Sequence, residues 1–276
     1  MVDAPPPPRD AATLVLLRDS PAGPQVLMLR RHVAIEFAGD AWVFPGGAVD
    51  AADRTLDPQR WAGIDPDALA VRFAEPADLV LGYHVACVRE TFEEAGVLFA
   101  RRADGQAAEL APEQLAAGRA LLADRGQRGR WVHWLAQEDL VLDLSALAYL
   151  ARWITPAQAP KRFDACFFVA RAPAAQQVEH DQVETTAQAW LSPAEALAGM
   201  ERGELEIWHP TEQTLRTLAT FASVDAVLAH ARTQREIRGV QPHIDVHPGG
   251  WRVLHPDDPD YPHERYGPGG DLTEAR

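Results

Sequence analysis

From Leu81 to Val97 the chain carries one pattern on two faces, and that pattern limits the fold more than any other. Leu81, Val85, Val88 and Phe92 recur at the four-three-four spacing of a buried helical stripe. At about 100° per residue, Glu90, Glu93 and Glu94 fall on a shared face roughly opposite that stripe. Gly96 then fits the left-handed position that commonly ends a helix. Like charges three and four residues apart weaken a bare helix by a few tenths of a kcal/mol per pair. A hard cation among the oxygens reverses that penalty. Taken alone, such a pair of acids is the solvated side of an amphipathic helix. Joined to Phe44-Pro45-Gly46-Gly47 upstream, it reads as a seat for a divalent metal on a diphosphate.

The order Arg89-Glu90-Thr91-Phe92-Glu93-Glu94-Ala95-Gly96-Val97 resembles the signature of the Nudix hydrolases. That signature runs Gly, five residues, Glu, seven residues, Arg-Glu, an apolar residue, any residue, Glu-Glu, any residue, Gly, an apolar residue. Gly47, Arg89, Glu90, Glu93, Glu94, Gly96 and Val97 match it. Thr91 stands at the apolar position, with Phe92 beside it able to supply the buried side chain. Spacing is the larger departure: Arg89 follows Gly47 by 42 residues instead of 14, an insertion of 28. Counting forward from Gly47, the first acidic position falls on Asp53, and counting back from Arg89 it falls on Leu81, so no role is assigned there. An insertion at this place also marks the peroxisomal coenzyme A diphosphatases and their bacterial relatives, which the chain resembles. That branch carries a glycine four residues before the Phe of Phe-Pro-Gly-Gly, where Asp40 stands here with Gly39 one residue off.

The resemblance implies an α/β fold, an α/β/α sandwich around a mixed sheet, with the insertion inside the signature and extra helices. Local signals agree. Residues 12–17 and 25–29 are β-rich runs around the turn formers Asp19 to Gly23, a hairpin. Residues 162–170 and 187–191 are further strands. Ser192-Pro193-Ala194-Glu195 reads as a capping box opening a helix through Met200. Residues 111–124 and 223–235 read as helices, and 241–254 as a hairpin turning at Pro248-Gly249-Gly250. The expected organisation is a disordered stretch at 1–10, one catalytic domain at 11–222 and a helix, hairpin and flexible tail at 223–276. Elaborations at about 48–80 and 101–150 either shape the substrate pocket or pack for stability.

Diphosphate hydrolysis needs charge neutralised on phosphate oxygens and a water activated near neutral pH, which Mg²⁺ or Mn²⁺ supplies. Glu90, Glu93 and Glu94 are the expected ligands, with Arg89 orienting a neighbouring carboxylate by a charge-assisted hydrogen bond. Gly46 and Gly47 let the loop backbone approach the helix or a phosphate closely. The general base is expected at Glu184, six residues before Trp190, with Glu179 as its rival. Arg30-Arg31 and Lys161-Arg162 are the local basic candidates, ordinary solvated charge being the alternative for each pair. Coenzyme A or acyl-coenzyme A, cut to a phosphopantetheine and 3′,5′-ADP, is the leading substrate; ADP-ribose or a dinucleotide such as NADH comes next. A nucleotide-metabolite sensor without turnover is the reading from a different class.

A net charge of −14 argues against broad nucleic-acid binding, although a metal-loaded site still accepts a small polyanion. No apolar stretch approaches membrane-spanning length, and the proline-rich start does not read as a secretory signal. Cys87 and Cys166 fall in core-like segments and read as reduced thiols, favouring the cytoplasm. The chain is expected to act alone or as a homodimer. His243, His247, His255 and His263 lack a recognisable zinc spacing. Neither a Gly-x-Ser-x-Gly elbow nor a phosphate-binding Gly-Lys-Ser/Thr loop occurs.

Overall fold

Two apolar runs folded back at Gly23, whose φ of 108° only glycine adopts readily, begin the structure. They form β1 (Arg9–Ser20) and β2 (Gly23–Arg31), antiparallel with Leu17 opposite Val26. The computed structural model describes residues 6–33, 39–124, 126, 128–181, 183–234 and 237–263. Two short strands follow, β3 (Trp42–Val43) on β2 and β4 (Gly46–Ala48) on β1. Next come α1 (Ala51–Arg54), β5 (Trp61–Ala62), α2 (Pro66–Phe73) and the acid-bearing α3 (Ala77–Ala95). Then β6 (Ala100–Arg102), α4 (Pro112–Ala123), α5 (Arg128–Gln137) and β7 (Leu140–Asp143) lead to β8 (Ala148–Ile154), β9 (Phe163–Arg171) and β10 (Thr185–Leu191). The chain closes with α6 (Pro193–Glu201), α7 (His209–Leu218), α8 (Val224–Thr233), β11 (Gly239–Val240) and the hairpin β12 (His243–His247) with β13 (Gly250–Leu254).

The main sheet runs β10-β2-β1-β9-β8-β11 and is mixed: β1 lies parallel to β9 and β8 parallel to β11, while the β10–β2, β2–β1 and β9–β8 pairs are antiparallel. Alternation along the strands divides the core in two. Leu14, Leu16, Leu27, Leu29 and Phe168 pack with α3 on one face. Val15, Leu17, Val26, Met28 and Val169 pack with residues of α6, α7 and α8 on the other. These are the three layers of the expected sandwich. The capping box at Ser192 forms, with its hydroxyl accepting from the Glu195 N–H at 3.2 Å.

The acid-bearing helix departs from the amphipathic reading: every residue from Leu79 to Ala95 is buried. Its apolar stripe packs in the core, β4 crosses near its acids, and the two elaborations cover much of the rest. Phe92 stacks on Trp134 of α5 at 5.6 Å, and Gly118 of α4 lies so close to that indole that a Cβ would come within 2.7 Å of it. Thr91, at the apolar place of the signature, is fully buried beside Phe92. The two elaborations meet each other as well. β5 from the first pairs with β7 from the second, Trp61 opposite Leu142, in a small sheet completed by β6.

Both ends of the expected organisation shift. β1 begins at Arg9, with Arg9 and Asp10 opposite Phe163 and Asp164, so residues 9 and 10 belong to the sheet and not to a disordered stretch. The Pro6 carbonyl accepts from Arg162, a buried arginine that also bonds the Thr155 carbonyl and therefore serves structure. Beyond residue 222, α8 buries Val224, Val227, Leu228 and Ala231 in the second core, and β11 extends the main sheet. The hairpin turns at Pro248 to Gly250 as expected. Residues 257–263 are ordered by Tyr261, buried and donating to the Gln241 carbonyl at 2.7 Å. The remainder of the expected flexible tail, residues 264–276, lies outside the described residues, as do residues 1–5.

Candidate active site

Arg89 is the hub of the site. Its Nε and Nη2 donate to the two oxygens of Asp53 at 2.9 and 2.7 Å, its Nη1 to Glu90 Oε1 at 2.5 Å, and its Nη2 also to the Ala48 carbonyl at 2.9 Å. Glu93 Oε2 stands 4.0 Å from Nη1. Arg89, Asp53 and the three glutamates are each less than a tenth exposed. Burial alone would lower the pKa of the guanidinium, but Glu90 and Asp53 outweigh it and hold the group well above its ordinary value. Asp53 also accepts the Asp50 N–H at 2.8 Å, which anchors α1. No role was assigned to Asp53 from sequence; the structure makes it the forked partner of Arg89. Its distance from Gly47 equals that of the signature's first acid, and this was the signal that could have found it.

Gly46 and Gly47 lie between β1 and α3 where side chains have no room. A Cβ on Gly46 would meet the Ala12 carbonyl oxygen at 2.5 Å, and one on Gly47 would meet Glu90 Oε1 at 2.5 Å. The Gly46 N–H donates to Glu94 Oε2 at 3.0 Å. Glu90 and Glu94, four residues apart on one helix face, therefore both face β4. Burial first, then the neighbouring Glu90, push the Glu94 carboxyl well above the usual carboxylate range; Arg31 and the Gly46 N–H pull it back, and Glu184 pushes it further.

Arg31 and Glu184 thus lie within electrostatic range of Glu94. The turn carrying Glu184 is organised by Asp181, which accepts from the N–H groups of Glu184 at 2.9 Å and Thr185 at 2.8 Å and from the Thr185 hydroxyl at 2.7 Å. The Glu184 carbonyl accepts the His32 N–H at 2.8 Å. Glu179 lies at the end of α3 instead, its N–H on the Ala95 carbonyl at 3.0 Å and its charge acting on Arg119. The arginine pair on β2 divides between faces. Arg31 follows Leu27 and Leu29 toward α3, whereas Arg30 follows Val26 and Met28 to the other side and holds Asp40 at 2.9 Å through two nitrogens. Arg30 is thereby removed from the acid site. Asp40 adopts φ 70°, the left-handed conformation usually given to glycine, where the resembled branch carries one. A cavity of about 380 Å³ lined by Arg30, Asp40, Trp42, Met200, Glu206 and Ile207 opens beside that ion pair, on the face away from α3.

The three glutamates do not gather around one point as expected from the helix period. Among the described residues no group of three or more His, Cys, Asp or Glu side chains is arranged to hold a metal ion. Arg89 Nη1 holds one oxygen of Glu90 at 2.5 Å and stands 4.0 Å from Glu93 Oε2, while Glu94 turns to the Gly46 N–H. The chemistry of the set nonetheless fits a hard divalent cation: donors are all oxygen, and buried carboxylates raise one another's affinity for positive charge. The histidines assemble no comparable site. His209 and His255 share a hydrogen bond at 2.9 Å against the Trp153 ring, and His243 contacts Gln158. No helix among the described residues is long and apolar enough to cross a membrane.

Comparison with known proteins adds to this geometry. Residues 68–218 match the model of the NUDT19 Nudix domain. The acyl-coenzyme A diphosphatase NUDT19 of Gallus gallus is 27% identical, over 93% of this chain and 82% of its own length. The human protein of that name is 31% identical, over 75% of this chain and 64% of its own. In three dimensions, a Nudix hydrolase crystal structure from Alicyclobacillus acidocaldarius superposes with a TM-score of 0.67 at 28% identity, covering 81% of this chain and 96% of that one. With more than half of its length matched, and with Gly47 and Arg89 both against Glu90 and Gly46 bonded to Glu94, the chain belongs to the Nudix family in its NUDT19 branch.

Proposed function

We propose that this protein hydrolyses the diphosphate of coenzyme A or acyl-coenzyme A, giving a phosphopantetheine and 3′,5′-ADP, with Mg²⁺ or Mn²⁺ as cofactor. The observation that carries the reading is the buried Asp53–Arg89–Glu90 network set against Gly47, with Glu94 bonded to Gly46. Support for the substrate class comes from relatives named as acyl-coenzyme A diphosphatases in bird and human.

Glu90, Glu94 and Glu93 would hold the cation, and Arg89 fixes Glu90 through one carboxylate oxygen. When bound, the cation neutralises non-bridging phosphate oxygens and acidifies water. Arg31, on the same face as α3, adds a positive charge for the diphosphate. Glu184 accepts the proton of the attacking water. The water oxygen bonds to one phosphorus as the bridging P–O bond breaks, and the departing phosphate keeps the electron pair. Burial of the carboxylates strengthens each of these electrostatic contacts relative to bulk water.

The test is incubation of purified protein with Mg²⁺ or Mn²⁺ and coenzyme A, acetyl-coenzyme A, ADP-ribose, NADH and nucleoside triphosphates, with products read by mass. Release of 3′,5′-ADP from the coenzyme A species at the highest kcat/KM is expected. Preference for ADP-ribose or NADH overturns the substrate, and binding with no turnover of any compound makes the protein a sensor. Glu93→Gln should lower kcat by about a hundredfold or more while the fold persists; near-normal turnover removes Glu93 from the site.

A further inference from the structure

One arginine delivered by the second elaboration, residues 101–150, reaches the end of the acid-bearing helix. Gly118 lies flat against the Trp134 indole, which brings α4 down onto the α3 layer, and the next residue is Arg119. Its Nε and Nη2 both donate to the Glu93 carbonyl, at 3.2 and 3.0 Å. That carbonyl belongs to the last turn of α3, where carbonyls lose their helical partners and a cation is favoured. Nη1 packs over Gly96, 3.3 Å from where a Cβ would stand. The acidic charges acting on Arg119 are Asp181, Glu179 and Glu93. Two of these belong to the segment that carries Glu184, and the Glu179 N–H is bonded to the Ala95 carbonyl.

We propose that Arg119 is a positioning residue through which the second elaboration locks the last turn of α3 to the 179–184 segment, fixing the separation of Glu93 and Glu94 from Glu184. That elaboration thus takes part in the reaction without touching substrate. This inference rests on the assignment of those acids to the active site. It explains why Gly96 is constrained twice, by its φ of 71° and by the guanidinium above it.

The test uses Arg119→Met, which keeps the aliphatic stem and removes the donors, and Arg119→Lys, which restores a charge and a donor. In metal-free protein, amide hydrogen exchange of residues 93–98 and 179–185 should quicken about ten- to a hundredfold in Arg119→Met, the range for losing a charge-assisted hydrogen bond. With metal and coenzyme A, kcat should fall about tenfold or more with KM within about twofold. Arg119→Lys should recover most of the protection and part of kcat. Arg102→Ala serves as control, since among the described residues the Arg102 guanidinium bonds two carbonyls of the same elaboration, those of Glu138 and Glu109. Unchanged exchange in Arg119→Met, no recovery in Arg119→Lys, or an equal loss in Arg102→Ala overturns the proposal. If the wild type turns over no substrate, the assigned reaction fails, while the exchange measurement still decides whether Arg119 locks the two segments.

Discussion

Adding a single methyl group at Gly47 tests the geometry of the site most directly. Gly47 is not among the residues with positive φ, so alanine introduces no backbone strain there and the effect is one of space. The new Cβ would stand 2.5, 2.6 and 2.9 Å from Oε1, Cδ and Oε2 of Glu90, whereas ordinary contact begins near 3.4 Å. The carboxylate must therefore retreat by about 0.9 Å. It cannot do so alone, because Oε1 is held by Arg89 at 2.5 Å and Arg89 by both oxygens of Asp53. Overpacking a well-filled site costs about 1–3 kcal/mol, and a misplacement of about 1 Å in an active site lowers turnover about a hundredfold. Gly47→Ala should thus unfold at lower urea and show kcat reduced about a hundredfold at saturating Mg²⁺. Glu90→Asp in the same chain shortens the acid and makes room for the methyl, so it should recover stability without recovering activity. Wild-type stability and turnover in Gly47→Ala would refute the packing of Gly47 on Glu90, and with it the site as described.

Three further measurements address neighbouring residues. Asp53→Asn removes one charge from a buried pair and should cost about 3–5 kcal/mol of unfolding free energy, read as a lowered denaturant midpoint; a loss under about 1 kcal/mol would mean that Arg89 is held by other groups. His84, buried on α3 with its Nδ1 2.7 Å from the Val80 carbonyl, has its pKa pushed by burial down to about 4. The unfolded histidine takes its proton near pH 6.5 and the folded one does not. Stability contributed by neutral His84 is therefore full above about pH 6.5 and falls by about 3 kcal/mol toward pH 4. Urea titrations should show that much less acid sensitivity in His84→Phe, and equal slopes would dismiss the burial argument. Burial also pushes the Cys166 thiol up to about 12 and Cys87 well above the usual thiol range, so both should resist a thiol reagent at pH 8 until the protein is denatured. Rapid labelling of the native protein would contradict that.

What the sequence disclosed and what it hid follow from range. The helix stop at Gly96, the capping box at Ser192 and the hairpin at residues 248–250 depend on neighbours a few residues apart, so each was legible. The Asp53–Arg89 fork spans the insertion, and no local count could decide between Asp53 and Leu81. Arg30 and Arg31 looked equivalent because Val26, Leu27, Met28 and Leu29 are all apolar. A strand buried on both faces shows no alternation by which to tell them apart. Likewise the burial of the acid face of α3 was not legible, because its cover comes from segments remote in sequence. Arg119 had no signal at all, being one arginine on a helix with a largely exposed outer side.

Placing 28 extra residues inside the most constrained motif of the chain is less disruptive than it looks, and the reason is physical. Lengthening the link between Gly47 and Arg89 from 14 residues to 42 raises the entropy of closure by only about 1 kcal/mol, since that term grows with the logarithm of length. Both ends of the link are anchored: Gly47 by the pairing of β4 with β1 and its seat against Glu90, Arg89 by its helix. The added segment then contributes contacts of its own, burying Leu56 and Phe73 and pairing β5 with β7. It also returns Asp53 to Arg89 at the near end, while the second elaboration brings Arg119 to the far end of α3. The two segments that interrupt or follow the signature thus grip opposite ends of its acidic turn, a geometry in which the outer helices can vary while the carboxylates of α3 keep their positions.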